Sequence, residues 1–295
     1  MTASLLLQSV FAGLTNGFVY GLVGLGLAVI FRGTRIINAM QGEFSAVAGM
    51  ATVMMLDQWK IPLPFAMLSA MVLGAAIGSF IELVPVRALR RRGGSEDSYL
   101  LLTLGVAFAL SALILFFVGR DSRLLPGIGG EATLLILDAA IRIHAIWLIV
   151  ISTLVMVALK WLYTRTHLGL SMMAAAIDAD GAATTGINVP LMRTATFCLG
   201  GLIGGLAGVL ITPLTTVRYD MGMLLTLKGF AAAILGGLTN PFGAVLGGVT
   251  LGLLETLAVG FVSSGYKDVI ALSILIFIMI VLPNGMLGRI ARRGG

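Results

Sequence analysis

Long runs of uncharged, mostly apolar residues dominate this chain, and the charged residues fall in the short stretches between them. The charge-free runs cover residues 1–31, 61–81, 98–119, 194–217, 229–254 and 269–288. Each run reaches the roughly 20 residues that a helix needs to cross the hydrocarbon of a bilayer. The pattern therefore predicts an all-α, polytopic membrane protein.

The apolar segments predict eight or nine membrane crossings. The predicted helices are residues 5–31, 44–56, 63–86, 99–118, 145–163, 194–213, 225–238, 243–262 and 269–282. Residues 44–56 and 225–238 are too short to cross without help from neighbouring residues. Nine crossings follow if both segments span the membrane, and eight follow if one of them is re-entrant.

The two short segments occupy matching places in the chain. Each is second in a set of four helices, and on this topology the two sets run in opposite directions. Such an arrangement is typical of inverted repeats, in which interrupted helices lie beside the transport path. The two halves share no clear sequence identity, so a coincidence of hydropathy explains the pattern equally well.

Lysine and arginine are concentrated within residues 87–92, 160–193 and 289–293. Cytoplasmic loops of membrane proteins carry an excess of these residues, so the three stretches are predicted to lie inside. Residues 120–144 mix acidic and basic side chains and are predicted to lie outside, as is the N-terminus. The net charge of +6 thus reflects orientation in the lipid bilayer, and no nucleic-acid partner is expected.

Composition supports the membrane assignment and adds a prediction about packing. Hydrophobic residues make up 58% of the chain and charged residues 11%, against roughly 25% charged residues in average soluble proteins. The chain contains 39 glycines, and several are spaced four apart within predicted spans, as at Gly17 and Gly21 or Gly200, Gly204 and Gly208. Glycine at this spacing lets helix backbones approach closely, so the spans are expected to pack tightly.

A moderately polar, alanine-rich segment at residues 171–192 interrupts the apolar pattern. It is predicted to form one or two short helices on the cytoplasmic face, within a segment of about 166–193 on which a partner docks. An ordinary connecting loop is the alternative. The residues assigned to this docking segment are Asp178, Asp180, Gly181, Ala182 and Gly186.

No pattern in the sequence indicates an enzyme. There is no phosphate-binding loop, no nucleophile elbow and no spacing typical of metal ligands. The single cysteine, Cys198, lies within a predicted span and excludes a disulfide within the chain. We therefore expect neither catalytic residues nor a metal site.

Polar residues at membrane depth are candidates for a translocation path, because their burial in lipid is costly. Glu255 faces a watery path or pairs with Lys228, whereas Glu82 is interpreted as an interfacial anchor near the arginine cluster. The polar residues at the start of the first short segment line a path or cap its helix. The candidate path residues are Asn38, Gln41, Glu43, Lys228, Thr239, Asn240 and Glu255.

Several motifs resemble the membrane permease subunits of ABC importers for branched-chain amino acids. The matching stretches, in the same order along nearly the whole chain, are residues 17–31, 37–44, 178–189, 227–248 and 282–288. The motifs are shared with permeases for urea and short amides. This chain has Gln41 where the family usually has histidine, and Asp180-Gly181 where it usually has Glu-Ala. These departures limit any transfer of roles residue by residue.

The resemblance implies one permease domain over residues 1–295, in the inner membrane of a bacterium. It implies four kinds of partner: a second homologous permease subunit, two cytoplasmic ATPase subunits, a periplasmic substrate-binding protein and the bilayer. No cofactor is expected on this chain, because ATP is used by the ATPase subunits. The implied substrates are branched-chain or similar apolar amino acids, with urea or short amides as the alternative. A stand-alone secondary transporter and a structural scaffold are the other hypotheses.

Overall fold

The computed structural model describes residues 3–130, 132–136 and 139–261, together with 269, 271–273, 276–277, 280 and 285. The helices within these residues are α1 (Ala3–Thr34), α2 (Gln41–Asp57), α3 (Leu63–Ile81), α4 (Arg87–Arg91), α5 (Glu96–Val118), α6 (Ile143–Arg165), α7 (His167–Ile177), α8 (Ala179–Thr184), α9 (Val189–Ile211), α10 (Met221–Gly236) and α11 (Pro241–Phe261). A two-stranded hairpin, β1 (Thr133–Ile136) and β2 (Ala139–Arg142), precedes α6.

Six helices of the described residues are long and apolar enough to cross a membrane. This confirms the predicted polytopic, mostly helical membrane protein. The helices α2 and α10 are shorter, at 17 and 16 residues, as the two short predicted segments required. The last predicted span, 269–282, lies largely outside the described residues, so the choice between eight and nine crossings and the inverted repeat both stay predictions.

The helix α1 lies at the centre of the described bundle, and its contacts give the directions of its neighbours. Gly17 lies against Val249 and Gly21 against Val245, so α11 runs antiparallel to α1. Gly24 lies against Gly229, and Lys228 reaches Tyr20, so α10 runs parallel to α1. These relative directions agree with the alternation of the predicted spans.

Glycine allows these backbones to touch, as the spacing of glycines predicts. A Cβ atom on Gly17 would stand 2.6 Å from the Cα atom of Val249, which is too close for any side chain. The same holds where Gly74 meets the carbonyl oxygen of Gly201, at 2.6 Å. Gly105 on α5 has no such neighbour within 4 Å, so close approach is a property of the inner helices.

Large apolar side chains cover the outer faces of α5 and α6. Phe108, Phe116, Trp147 and Leu154 are all exposed. In water such a surface would favour aggregation or association, whereas in a bilayer it is the surface that lipid tails cover. The arrangement therefore fits a membrane-embedded chain.

The hairpin of β1 and β2 departs from the predicted all-α fold. The strands have four residues each and belong to a connection of mixed polarity, so they leave no detectable alternation in the sequence. A further backbone pairing joins Arg123 to Val217. The connection between α5 and α6, which is predicted to lie outside, is thus paired with the connection that follows α9.

The C-terminal end of α3 continues through a π-helical turn, Glu82–Val86, into α4. Pro85 lies within this turn and cannot donate a backbone hydrogen bond, which explains the local change of helix type. Glu82 is fully buried and accepts two hydrogen bonds from Arg90, at 2.7 and 3.3 Å. The carboxylate is therefore paired with an arginine of the predicted cluster, Arg90, which is 25% exposed, and the pair joins the π-helical turn to α4.

Candidate functional site

The polar residues before α2 form a hydrogen-bonded group at the break between α1 and α2. The Asn38 side chain donates to Gln41 at 3.1 Å, and its oxygen accepts from the Met40 backbone at 3.2 Å. Gln41 donates to the carbonyl oxygen of Gly200 at 2.9 Å. Asn38 and Gln41 are fully buried in the described chain. Asn38 thus satisfies a backbone N–H just before α2, whereas Gln41 joins the start of α2 to the middle of α9.

Glu43 lies in the first turn of α2 rather than in a connecting turn. The helix begins at Gln41, three residues earlier than predicted. Gly42 donates its backbone N–H to the Thr226 hydroxyl at 2.8 Å, and the Glu43 carboxylate packs on Gly222 at the start of α10. Glu43 is 2% exposed, and its Oε2 atom has no hydrogen-bond partner among the described residues. Burial of an unsatisfied carboxylate oxygen is costly, so Glu43 remains the strongest polar candidate at this end of α2.

Lys228, Glu255 and Tyr20 form a buried cluster between α10, α11 and α1. The Lys228 ammonium donates to Glu255 Oε1 at 2.9 Å and to the Tyr20 hydroxyl at 3.2 Å. Glu255 is 0% exposed and Lys228 is 8% exposed. The predicted pairing of Glu255 with Lys228 is therefore present. Lys228 also lines an open cavity of about 180 Å³ together with residues of α1, α10 and the α9–α10 connection.

Thr239 and Asn240 lie in the connection from α10 to α11. The Asn240 side chain accepts hydrogen bonds from the backbone of Phe242 and Gly243, at 3.2 and 3.3 Å, and so caps the start of α11. Thr239 lines a separate cavity with two arginines at the end of α1. The structure thus distributes the candidate path residues over three places: the start of α2, the Lys228 cluster and the α10–α11 connection.

The segment predicted to dock a partner forms two short helices, α7 and α8, as expected. Asp178 caps α8, since its Oδ1 atom accepts from the backbone of Asp180 at 3.1 Å and of Gly181 at 2.9 Å. Gly186 ends the segment with a positive φ of 86°. Ala182 is buried against α7 and α9 residues such as Ala175, so its side chain belongs to the core of the segment and not to its outer surface.

The outer surface of this segment contains a residue that is not among the predicted docking residues. Ile177, the last residue of α7, is 75% exposed. It stands next to the exposed Asp178, with exposed Asp180 close by in sequence. The signal available in the sequence was a large apolar residue directly before a helix-capping aspartate, but periodicity gave no reason to place it outside.

Comparisons with known proteins agree with this architecture. A family profile described as "Branched-chain amino acid transport system / permease component" matches residues 9–279. This chain belongs to that family. It is similar to the high-affinity branched-chain amino acid permease BraD of Pseudomonas aeruginosa, with 31% identity over 96% of both chains. The corresponding LivH of Escherichia coli K12 is 28% identical over 96% of both chains.

A solved structure supports the fold alone. The chain resembles PsaBC from Streptococcus pneumoniae, determined in complex with a Fab, with a TM-score of 0.50 and 12% identity over 95% of this chain and 94% of the other.

Membership of the permease family makes this chain a membrane permease of an ABC importer, located in the inner membrane. Such a permease works with ATPase and substrate-binding partners.

Proposed function

We propose that this chain is one of two homologous permease subunits that translocate branched-chain or similar apolar amino acids into the cell. In this proposal two separate ATPase subunits hydrolyse ATP, a periplasmic protein delivers the substrate, and this chain binds no cofactor. Its relatives BraD and LivH are named for high-affinity transport of branched-chain amino acids, which supports amino acids over urea or short amides.

The observation that carries the proposal is the docking segment of α7 and α8. A self-contained secondary transporter has no need for such a segment, whereas a permease driven by ATPases needs a surface that transmits their movement. Ile177 offers an apolar anchor and Asp178 and Asp180 offer charges for a basic partner. The buried Ala182 and the Asp178 cap stiffen the segment, so that force on its tip reaches α6 and α9.

The proposed translocation path runs beside the start of α2 and the Lys228 cluster. Broken helices leave backbone groups that lipid cannot satisfy, so such ends belong against protein or a watery cavity. Glu43 lies at the start of α2, and Lys228 lines a cavity that a small molecule can enter. We propose these two as the charged residues nearest the substrate, with Asn38 and Gln41 supporting the helix end behind them.

The docking surface is tested by replacing its anchor. Ile177→Ser removes an exposed apolar side chain without touching the core of the segment. We expect insertion and assembly of the permease to persist, while ATPase association or substrate-stimulated ATP hydrolysis falls. Leu135→Ser is the matched control, because Leu135 is 77% exposed on the opposite, outer side. Equal activity of both variants would contradict the proposed coupling surface.

The substrate class is tested with the assembled importer in proteoliposomes. Uptake of radiolabelled leucine, valine and urea is measured with ATP inside and the binding protein outside. We expect uptake of the amino acids and none of urea. Uptake of urea alone would replace the proposed substrate class, and uptake without ATPase subunits would favour the secondary transporter.

A further inference from the structure

A cavity of about 230 Å³ opens at the inner end of α1, beside the docking segment. Its lining residues are Arg32, Arg35, Met173, Ile177 and Thr239. They come from three places: the end of α1, the helix α7 and the connection from α10 to α11. The distribution of Lys and Arg assigns this end of the bundle to the cytoplasm.

Two positive charges, those of Arg32 and Arg35, converge on this cavity. The Arg32 guanidinium lies 5.3 Å from the ring centre of Tyr163 and donates to the sulfur of Met173 at 3.4 Å. Arg35 lies 6.0 Å from the ring centre of Phe31. Among the residues that the structure describes, neither arginine forms an ion pair with a carboxylate. The aromatic rings and sulfur leave donors of both guanidinium groups available to an anion.

The backbone at Arg35 adds a second observation. Its φ angle is 60°. This is the left-handed region, which residues other than glycine, asparagine and aspartate rarely adopt. The Arg35 backbone N–H donates to the Phe31 carbonyl oxygen at 2.8 Å, so this conformation is the αL cap that ends α1. Here the unusual conformation lies at the residue that brings the second guanidinium to the cavity.

We propose that this cavity binds a phosphate group, supplied by the headgroup of an anionic phospholipid of the inner leaflet. Two guanidinium forks suit phosphate oxygens, because each can donate parallel hydrogen bonds to them. The Thr239 hydroxyl supplies a further donor at the rim. Basic pockets between helices on the cytoplasmic side are recurrent sites for such headgroups.

An occupied cavity would join the docking segment to the helical core. Met173 and Ile177 of α7 share its wall with the end of α1 and with Thr239, so one phosphate would contact all three parts of the chain. The inference goes beyond the proposed function and does not depend on which substrate is transported. It predicts that anionic lipid stabilises the attachment of α7.

The test measures lipid binding to the full chain purified in a non-ionic detergent. Dioctanoyl phosphatidylglycerol, dioctanoyl phosphatidylcholine and inorganic phosphate are each titrated, with native mass spectrometry and the thermal unfolding midpoint as readouts. We expect phosphatidylglycerol to bind and to raise the midpoint, and phosphatidylcholine to do neither. The double variant Arg32→Gln with Arg35→Asn should weaken phosphatidylglycerol binding by about tenfold or more.

The matched control is Arg91→Gln with Arg92→Gln, which removes the same charge from exposed arginines on the same side. Its binding should equal that of the parent chain, and an equal loss would show general charge attraction and overturn the proposal. Arg35→Asn alone covers the case in which the double variant fails to fold, because Arg35 is exposed and asparagine tolerates its φ angle.

Three other results would also overturn the lipid assignment. Inorganic phosphate binding as tightly as phosphatidylglycerol would make the site one for free phosphate. Absence of binding by every probe would leave no anion site. Absence of lipid binding together with lost ATPase association in the Arg35→Asn variant would assign the cavity to a carboxylate of the partner.

Discussion

The ion pair of Lys228 with Glu255 gives the sharpest prediction, because its structural and transport roles can be separated. We expect Lys228→Met and Glu255→Leu each to destabilise the chain, since each leaves the opposite charge buried among apolar helices. At 2.9 Å the two charges attract by roughly 6 kcal/mol at an effective dielectric constant of about 20. That attraction offsets desolvation costs of several kcal/mol for each ion.

The magnitudes predict a marked asymmetry between single and double variants. Losing one partner of a buried pair costs about 3–5 kcal/mol, whereas replacing both by well-packed apolar residues is often close to neutral. The double variant Lys228→Met with Glu255→Leu should therefore regain most of the stability that either single variant loses. The measurement is the unfolding midpoint of the purified chain in detergent, combined as a double-mutant cycle.

Transport by the stable double variant then assigns the role of the pair. We propose that Lys228 faces the substrate, so leucine uptake in proteoliposomes should be lost although assembly is normal. Restored uptake would make the pair purely structural. A single variant that unfolds at the same temperature as the parent chain would refute the reasoning about buried charge altogether.

Three further predictions concern packing, the outer connection and topology. Gly17→Ala should destabilise the bundle by about 1–3 kcal/mol, because its Cβ would overlap the backbone of α11, whereas Gly105→Ala should be neutral or slightly stabilising in the same unfolding assay. His144→Ala should make the α5–α6 connection more sensitive to protease. The buried ring joins this connection to the end of α9, through hydrogen bonds to the Ile128 backbone N–H at 3.1 Å and the Leu210 carbonyl oxygen at 2.8 Å. Unchanged cleavage would contradict this role of His144. On a cysteine-free background, a cysteine at Asp121 should react with an impermeant thiol reagent from outside and one at Asp180 only from inside, and the reverse pattern would overturn the orientation.

The sequence by itself determined the class of protein, the approximate positions of its helices and the presence of short helices within residues 166–193. These features are local, because each membrane-spanning helix satisfies its own backbone hydrogen bonds and must be apolar over its whole length. Even the relative directions of α1, α10 and α11 follow from counting crossings. The spacing of glycines such as Gly17 also correctly predicted the close packing of helix backbones.

Only the tertiary structure decided which residues meet and which face outward. Lys228 and Glu255 are 27 positions apart, and Tyr20 lies 208 positions from Lys228, so no local pattern could establish their cluster. No pattern in the sequence predicted the burial of Ala182 or the exposure of Ile177. The physical reason is that lipid tails are as apolar as leucine: the protein-facing and lipid-facing sides of a membrane helix have similar composition, and hydropathy cannot tell them apart.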